Sequence, residues 1–391
     1  KNISHEVAKI MLVTPGEMLG LLGGGQLGRM FTKAAQSLGY KVTVLDPASE
    51  SPAGLVADNF ICADYADNHA LLELSTHCAA ITTEFENIPA ESLNELAKVC
   101  VVSPDAHSVS IAQNRISEKK FLVENNFSVV PFAIIDNTEE RVKINHTNLL
   151  PGILKICQFG YDGKGQRRVN SEEELKAAID DLNREICVLE RLMPLSCEIS
   201  VIVARSSDGG LISFPVSENQ HVNGILNISI IPARISAQLA QQAKDIAAKV
   251  AERLNYQGVL CVEFFVLEDG QLLINEIAPR PHNSGHYSID ACFTSQFEQQ
   301  VRVMCGLPLG NTEMHSAAVM VNILGDLWQK GEPDWSHVLE QPSTKLHLYG
   351  KLEARPDRKM GHFTVLGKTT DMALSKAIEI KCHLEEHGNR S

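Results

Sequence analysis

The chain has 391 residues, 44% hydrophobic and 21% charged, a composition typical of a globular protein with two or three domains. Its 48 acidic residues outnumber 35 Lys and Arg, and the formal charge of −13 disfavours nucleic acid as a partner. No apolar stretch reaches the ~18 residues of a membrane span. The 10 cysteines form no Cys-x-x-Cys pair, which disfavours a zinc ribbon. Free, buried cysteines are typical of the reducing cytoplasm.

The first third of the chain alternates predicted strands and helices. Residues 18–22 read as a buried strand, three glycines end it, and an amphipathic helix follows as far as Gly39. Further strands at 41–45 and 79–85 predict a parallel, doubly wound sheet, which is an α/β fold. Residues 1–17 lack the apolar core of a secretion signal, and we set them apart as a leader.

The middle of the chain changes to α+β character. Short strands are predicted at 152–156, 186–190 and 196–204, and Ser236 is expected to cap a long helix with one apolar face. The residues from 317 onward read as a small mixed module ending in a helix.

A hairpin is predicted at residues 259–277. Asp269-Gly270 is a preferred two-residue turn, and it pairs Glu268 with Gln271. The same register places Glu263 directly opposite Glu276, and a one-residue bulge would break that pairing.

Two opposed carboxylates with apolar neighbours need a cation or a shared proton. A hard divalent ion such as Mg²⁺ fits that requirement, and Asn275 offers a neutral oxygen beside Glu276. The alternative is a solvated strand face on which the repulsion between Glu263 and Glu276 is tolerated.

A second glycine-rich segment, Gly160-Tyr-Asp-Gly-Lys-Gly-Gln166, carries a lysine and lies between predicted strands. Glycine lets backbone amides approach a phosphate closely, and Lys164 with the preceding Lys155 supplies positive charge. The segment is not a P-loop, because no Gly-Lys-Ser/Thr opens a helix. A plain turn is the alternative.

A third pattern, Gly23-x-Gly25-x-x-Gly28 with Asp46 ending the next strand, matches the dinucleotide fingerprint. An NAD-dependent oxidoreductase is therefore a rival interpretation. Nothing downstream resembles a hydride-transfer site.

Five motifs in order resemble the N5-carboxyaminoimidazole ribonucleotide synthetase family, the ATPase subunit of phosphoribosylaminoimidazole carboxylase. They are Gly23-Gly-Gly-Gln-Leu-Gly-Arg-Met30, Thr83-Glu-Phe-Glu-Asn-Ile-Pro89, Gly160-Tyr-Asp-Gly-Lys-Gly-Gln166, Asn275-Glu-Ile-Ala-Pro-Arg-Pro-His-Asn-Ser-Gly-His286 and Arg355-Pro-Asp-Arg-Lys-Met-Gly-His362. Single motifs are shared with other ATP-grasp ligases, whereas the last two together are specific.

The resemblance implies a pre-ATP-grasp domain (18–114), a two-lobed ATP-grasp domain (115–316) and a small C-terminal domain (317–391), usually in a homodimer. It implies that bicarbonate is joined to the exocyclic amine of 5-aminoimidazole ribonucleotide at the expense of Mg-ATP, in de novo purine synthesis. Another ATP-grasp ligase, such as a formate-dependent glycinamide ribotide transformylase, is the alternative.

The resemblance also implies roles for individual residues. ATP would be bound by Arg115, Lys155, Gly160, Tyr161, Asp162, Gly163, Lys164, Gly165, Gln166, Glu190, Arg191, Leu192, Met193, Glu198, His221, Asn275 and Glu276. The metal ligands would be Glu263 and Glu276, and the catalytic residues Asp162, Arg280, His282 and Asn283. The ribotide would be held by Gln26, Leu27, Glu84, Lys351, Arg355, Arg358 and Lys359.

The chain departs from the family pattern in two places. Residues 156–159, just before the glycine segment, lack the polar, often basic residues common there. Asp357 stands where the family usually has glycine, inside a cluster of four cations in nine residues. A carboxylate there is expected to weaken binding of the substrate phosphate or to pair with Arg355.

Overall fold

The computed structural model describes residues 12–136, 147–158 and 165–387. The first part of the chain forms β1 (Met18–Leu22), α1 (Gln26–Ser37), β2 (Lys41–Asp46), β3 (Asn59–Cys62), α2 (Asn68–His77), β4 (Ala80–Thr83), α3 (Ala90–Ala97), β5 (Val101–Val102) and α4 (Ala106–Gln113). The strands run parallel in the order β3-β2-β1-β4-β5. The predicted doubly wound sheet is confirmed.

Both faces of this sheet are buried by helices, as a parallel sheet requires. Leu21 of β1 belongs to a core with Phe31 of α1, whereas the next residue, Leu22, belongs to a core with Leu71 of α2 and Leu93 of α3. Successive residues of a strand face opposite sides, so β1 contributes to both cores.

The next part of the chain comprises α5 (Arg115–Glu124), β6 (Phe132–Ile135), β7 (Gly152–Ile156), β8 (Gln166–Val169), α6 (Glu172–Asp181) and β9 (Cys187–Arg191). Its strands form a second, antiparallel sheet in the order β6-β9-β7-β8. Helix α6 begins where the Ser171 hydroxyl accepts a hydrogen bond from the Glu174 N–H at 3.2 Å. Leu154, Leu175 and Leu189 bury α6 against this sheet.

The remaining strands form one large sheet. Its first half comprises β10 (Leu195–Arg205), β11 (Leu211–Ser213), β12 (Ser217–Val222), β13 (Ile225–Ile231), α7 (Ala237–Arg253), β14 (Gly258–Leu267), β15 (Leu272–Ala278), α8 (Ser288–Ala291) and α9 (Gln296–Met304). Ser236 caps α7 as predicted, since its hydroxyl accepts the Leu239 N–H at 3.2 Å.

The C-terminal strands extend this sheet. They are β16 (Ala317–Leu324), β17 (Thr344–Leu348) and β18 (Lys359–Gly367), accompanied by α10 (Ser336–Leu339) and α11 (Thr370–His387). The large sheet has the order β15-β14-β10-β12-β13-β16-β18-β17, with β11 paired to β10. Strand β16 pairs antiparallel with β13, so the sheet is continuous from the middle of the chain into its last part. Within the described residues, no helix has the length and apolarity needed to cross a membrane.

The hairpin of β14 and β15 differs from the prediction at its turn. Val266 pairs with Leu272, and the Leu267 N–H donates to the Gln271 carbonyl, so the loop has three residues and Glu268 does not pair with Gln271. Gly270 has φ +83°, the left-handed conformation that ends such three-residue loops. The predicted two-residue turn is therefore wrong.

Candidate functional site

A cleft of about 1120 Å³ opens where the three sheets meet. Every predicted site residue that the structure describes lines this cleft, except Gly165, which has φ +71° and packs against Ile156. The predicted residues Gly160, Tyr161, Asp162, Gly163 and Lys164 lie outside the described residues.

Glu263 of β14 lies directly opposite Glu276 of β15, as predicted. A register shift between Glu263 and Phe264 makes Asn275 an extra residue, and this bulge offsets the register set by the three-residue turn. Burial and the facing Glu276 raise the pKa of Glu263 to about 7. Burial opposes ionisation of Glu276 as well, but Arg115 and Lys155 outweigh it and hold its pKa below the usual range.

The groups around this carboxylate pair fit a divalent cation. Arg115 Nη1 lies 3.1 Å from Glu276 Oε2. Among the described residues, Asn275 Oδ1 is buried and accepts no hydrogen bond, so it is a neutral oxygen without a partner beside two carboxylates. Hard oxygen donors of this kind are the ligands that Mg²⁺ prefers.

Lys155 projects from β7 into the cleft, and its position is fixed by Glu190 of β9. The Lys155 ammonium lies 2.6 Å from one Glu190 oxygen, and the buried Lys119 ammonium lies 3.0 Å from the other. Although burial raises the pKa of Glu190, the two lysines outweigh it and lower that pKa to about 2. Lys119 also donates to the Asn275 carbonyl at 3.0 Å and so connects this wall to the carboxylate hairpin.

Glu198 and His221 face each other on the neighbouring strands β10 and β12. His221 Nδ1 lies 2.9 Å from Glu198 Oε2. Burial lowers the pKa of His221, but the adjacent Glu198 carboxylate outweighs that effect and the net direction is upward. A short segment, Arg191 to Met193, lines the cleft between this pair and Lys155, and its Leu192 N–H donates to the Pro151 carbonyl.

Arg280 enters the cleft after β15 and forms a two-point ion pair with Glu86, in which Nη2 lies 3.0 Å from Oε1. Burial of Glu86 is outweighed by Arg280, so the pKa of Glu86 lies below its usual range. His282 lies further along the same segment, with Nε2 3.0 Å from Glu263 Oε1. Burial, reinforced by Arg280, lowers the pKa of His282 well below its ordinary value.

The amide of Asn283 is engaged by a second buried amide. Asn283 Nδ2 donates to Asn322 Oδ1 at 3.0 Å, and Asn322 Nδ2 donates to Asn283 Oδ1 at 2.7 Å and to the Leu226 carbonyl at 2.7 Å. This reciprocal pair attaches the segment after β15 to β16.

The glycine turn between β1 and α1 is filled by a protein carboxylate. Glu84 accepts hydrogen bonds from the Gly25 and Gly28 N–H groups, both at 2.5 Å, and Asp46 accepts one from the Gly24 N–H at 2.6 Å. These amides would have to bind the pyrophosphate in a dinucleotide site. Their engagement by Glu84 and Asp46 disfavours the NAD interpretation.

The basic cluster closes the opposite end of the cleft. Lys351 Nζ donates to the Lys359 carbonyl at 2.6 Å, while Arg355 pairs with Glu353 and not with Asp357. Asp357 has φ +64°, a left-handed conformation that favours glycine, and its N–H donates to Asp326 Oδ2 at 2.9 Å.

Four cleft or near-cleft residues were missed by the sequence analysis: Glu86, Glu118, Lys119 and Asn322. Glu118 and Lys119 are almost fully buried on α5, a mostly polar helix whose sequence does not show which of its charged residues are buried. Glu86 and Asn322 find partners 194 and 39 residues away, and local patterns carry no information about such pairs.

Three family models match consecutive parts of the chain. The ribonucleotide synthetase preATP-grasp domain matches residues 17–113, the ATP-grasp domain matches 120–297, and the phosphoribosylaminoimidazole carboxylase C-terminal domain matches 318–376.

Relatives match over nearly the whole chain. The N5-carboxyaminoimidazole ribonucleotide synthase of Bacillus subtilis is 44% identical over 360 residues, covering 92% of this chain and 94% of that protein. The synthase of Brucella melitensis is 45% identical over 352 residues, covering 90% and 96%.

Solved structures agree with these matches. The ADP complex of an N5-carboxyaminoimidazole ribonucleotide synthetase has a TM-score of 0.90 at 42% identity, covering 98% of this chain and 100% of the other. The Aspergillus clavatus synthase in complex with ADP and 5-aminoimidazole ribonucleotide has a TM-score of 0.87 at 30% identity, covering 94% and 98%. These matches agree in the order of the domains, in sequence identity along the chain and in fold. The chain therefore belongs to the N5-carboxyaminoimidazole ribonucleotide synthase family.

Proposed function

We propose that the chain joins bicarbonate to the exocyclic amine of 5-aminoimidazole ribonucleotide, consuming ATP and forming N5-carboxyaminoimidazole ribonucleotide, ADP and phosphate in purine biosynthesis. The observation that carries this proposal is that Glu263 and Glu276 face each other in a cleft that is also lined by lysine and arginine side chains. A second cluster of basic residues lines the far end of the same cleft. A nucleotide and a phosphorylated substrate both need such cations in a chain of net charge −13.

ATP is assigned to the wall built from β7, β9 and β10. Lys155 and Arg115 bind its phosphates, with Lys155 already oriented by Glu190. The segment Glu190 to Met193 receives the adenine, and Glu198 with His221 contacts the ribose. The glycine segment, with Gly160, Tyr161, Asp162, Gly163, Lys164, Gly165 and Gln166, is proposed to complete the phosphate site.

Mg²⁺ is assigned to Glu263 and Glu276, with Asn275 offering its unpartnered Oδ1. When bound there, the ion supplies positive charge to the phosphoryl group being transferred. The residues fit the ion because two facing buried carboxylates repel each other without one.

The ribotide is assigned to the end of the cleft formed by the first sheet and the C-terminal strands. Lys351, Arg355, Arg358 and Lys359 provide positive charge for its phosphate, and Gln26 with Leu27 lines the same space. Glu84 is proposed to act here through the α1 turn that it caps, because both its oxygens accept backbone N–H groups.

The chemistry then follows from the position of the remaining groups. ATP phosphorylates bicarbonate to carboxyphosphate, with Arg280 and Lys155 stabilising the charge that develops. The amine of the ribotide attacks the carboxyl carbon of carboxyphosphate, or of the CO₂ it releases, and phosphate departs. Asp162 or His282 receives the proton that the amine loses. Asn283 orients this segment through Asn322.

The proposal also includes the three domain boundaries given above, a homodimer and a cytoplasmic location. Light scattering tests the dimer.

A coupled assay of ADP release tests the reaction. We expect turnover with bicarbonate and 5-aminoimidazole ribonucleotide, and none with formate and glycinamide ribonucleotide. Glu276→Gln should abolish phosphate release because the variant loses a metal-binding charge, whereas Glu268→Gln, an exposed position on the same hairpin, should match the parent. Normal turnover in Glu276→Gln, or turnover only with formate, would overturn the proposal.

A further inference from the structure

A row of buried polar side chains crosses the large sheet and ends at His282. Ser229 Oγ donates to Asn219 Oδ1 at 2.8 Å, and Asn219 Nδ2 donates to Ser200 Oγ at 2.9 Å. Ser200 Oγ lies 2.7 Å from Ser284 Oγ, which lies 2.9 Å from His282 Nδ1. The four side chains before the histidine are between 0% and 5% exposed, so they depend on one another for hydrogen bonds.

The direction of these bonds is fixed from the histidine end. The Ser284 N–H donates to His282 Nδ1 at 3.3 Å, and a backbone N–H has no lone pair to accept with. His282 Nδ1 is therefore an acceptor, and the proton of the neutral ring is on Nε2. Nε2 lies 3.0 Å from Glu263 Oε1, so its proton faces a carboxylate oxygen that can accept a hydrogen bond.

Each earlier bond agrees with that direction. With Nδ1 as an acceptor, the Ser284 hydroxyl donates to it and accepts from Ser200. Ser200 then accepts from Asn219, whose Nδ2 faces it and whose Oδ1 accepts from Ser229. The four hydrogen bonds from Ser229 to His282 Nδ1 all run the same way, without a conflicting pair of donors.

We infer that Ser229, Asn219, Ser200 and Ser284 are positioning residues that hold His282 as the Nε2–H tautomer, so that His282 donates to one Glu263 oxygen and orients this carboxylate for the metal. The inference deepens the proposed function and rests on it for the role of Glu263. A donor behind a metal-binding carboxylate fixes its orientation, and loss of such a donor typically weakens metal binding or activity by 10- to 100-fold.

The same tautomer excludes two other roles for His282, those of ion ligand and of proton acceptor. The proton on Nε2 leaves no lone pair there, so His282 cannot join Cys261 and Glu263 as an ion ligand, although their donor atoms lie within 4.8 Å of one another. Nε2 also cannot accept the proton of the substrate amine.

The replacement Asn219→Asp tests the inference with little change in shape. A carboxylate only accepts hydrogen bonds, so Ser200 would turn to donate to it, and Ser284 would turn to donate to Ser200. His282 Nδ1 would lose its hydroxyl donor. We expect kcat to fall about tenfold and the Mg²⁺ concentration for half-maximal rate to rise about tenfold, with little change in the KM for the ribotide.

Ser200→Ala breaks the row in its middle without adding charge, and it should change the same kinetic parameters. It therefore tests the inference even if Asn219→Asp does not fold. Ser217→Ala is the matched control. Ser217 is equally buried and its hydroxyl donates to the Ser284 carbonyl at 3.2 Å, outside the row of donors. Its kinetic parameters should match the parent.

The tautomer is read directly by ¹⁵N NMR of histidine-labelled full-length protein, in which the His282 signals are assigned by their absence in His282→Asn. We expect protonated Nε2 and unprotonated Nδ1 in the parent, and a population of protonated Nδ1 in Asn219→Asp. Protonated Nδ1 in the parent, or parental tautomer and rate in both row variants, would overturn the inference. Because this measurement needs no turnover, its outcome is independent of whether the proposed reaction occurs.

Discussion

Glu263 and Glu276 face each other because Asn275 is an extra residue in β15. The bulge places both carboxylates on one face of the hairpin and leaves Asn275 Oδ1 buried beside them, with no hydrogen-bond donor among the described residues. Bulges next to active sites typically redirect a side chain in this way. Here the redirected groups are the ones that we propose as Mg²⁺ ligands.

Asn275→Ala should weaken nucleotide-dependent Mg²⁺ binding. The variant removes the unpartnered oxygen while the Lys119 ammonium keeps its bond to the backbone carbonyl of residue 275. We expect the Mg²⁺ requirement to rise about tenfold in steady-state kinetics, with the thermal midpoint nearly unchanged. Gln271→Ala, exposed at the tip of the same hairpin, is the control. An unchanged Mg²⁺ requirement would exclude Asn275 as a ligand.

Lys119→Met should destabilise the fold. Lys119 is fully buried between Glu190 and the Asn275 carbonyl, and its removal leaves buried negative charge with one partner fewer. Removing one partner of a buried ion pair costs about 3 kcal/mol of unfolding free energy. Urea unfolding measures this cost, and the exposed neighbour Lys120→Met should stay within about 0.5 kcal/mol of the parent. Equal stabilities of the two variants would contradict the assignment.

Glu118→Gln should change how stability depends on pH. Burial raises the pKa of Glu118 to about 7 from an ordinary value of 4.5, with Lys119 opposing the shift and Glu276 adding to it. Between pH 4.5 and 7 the folded chain therefore binds a proton that the unfolded chain lacks, so this group stabilises the fold at low pH and loses that contribution as pH rises to about 7.

The amide of Glu118→Gln is neutral throughout, and its oxygen can keep the hydrogen bond from the Ile277 N–H. The variant should match the parent near pH 5 and exceed it by up to about 3 kcal/mol at pH 8. Other titrating groups contribute to both proteins, so the difference between the two unfolding curves isolates Glu118. A difference that does not vary with pH would contradict this account.

Asp357→Asn should strengthen binding of the ribotide. Asp357 lines the cleft beside Arg355 and Arg358, and it forms no pair with Arg355 that would neutralise it. A carboxylate about 7 Å from a bound phosphate in water costs roughly 0.6 kcal/mol, so the KM for the ribotide should fall about threefold.

Asp357→Gly separates charge from conformation at the same position. It removes the same charge and also relieves the left-handed backbone at φ +64°. Equal KM values for the Asn and Gly variants would assign the effect to charge. A lower KM in Asp357→Gly alone would assign it to the backbone.

The local patterns of the chain were sufficient for most elements of the fold. Strand β1, its glycine turn and α1 follow from a buried apolar run, a breaker and a 3.6-residue period. The facing carboxylates Glu263 and Glu276 were found by counting from a turn. The count succeeded although the turn has three residues, because the bulge at Asn275 compensates for the extra loop residue.

Features that depend on distant partners could not be predicted. The glycine turn reads as a phosphate site until Glu84, 56 residues from Gly28, is seen to fill it. Strand β16 gives no local sign that it pairs with β13 and extends the large sheet. Ser200, Asn219 and Ser229 are small polar residues in apolar strands, and only their shared burial reveals the row that leads to His282.

Calorimetric titration with ADP, in the presence and absence of Mg²⁺, tests most directly whether Glu263 and Glu276 hold a nucleotide-bound ion. The parent should bind ADP at least tenfold more tightly with Mg²⁺, whereas Glu276→Gln should show the same affinity under both conditions. If Mg²⁺ tightens ADP binding equally in both proteins, the carboxylate pair is not the metal site.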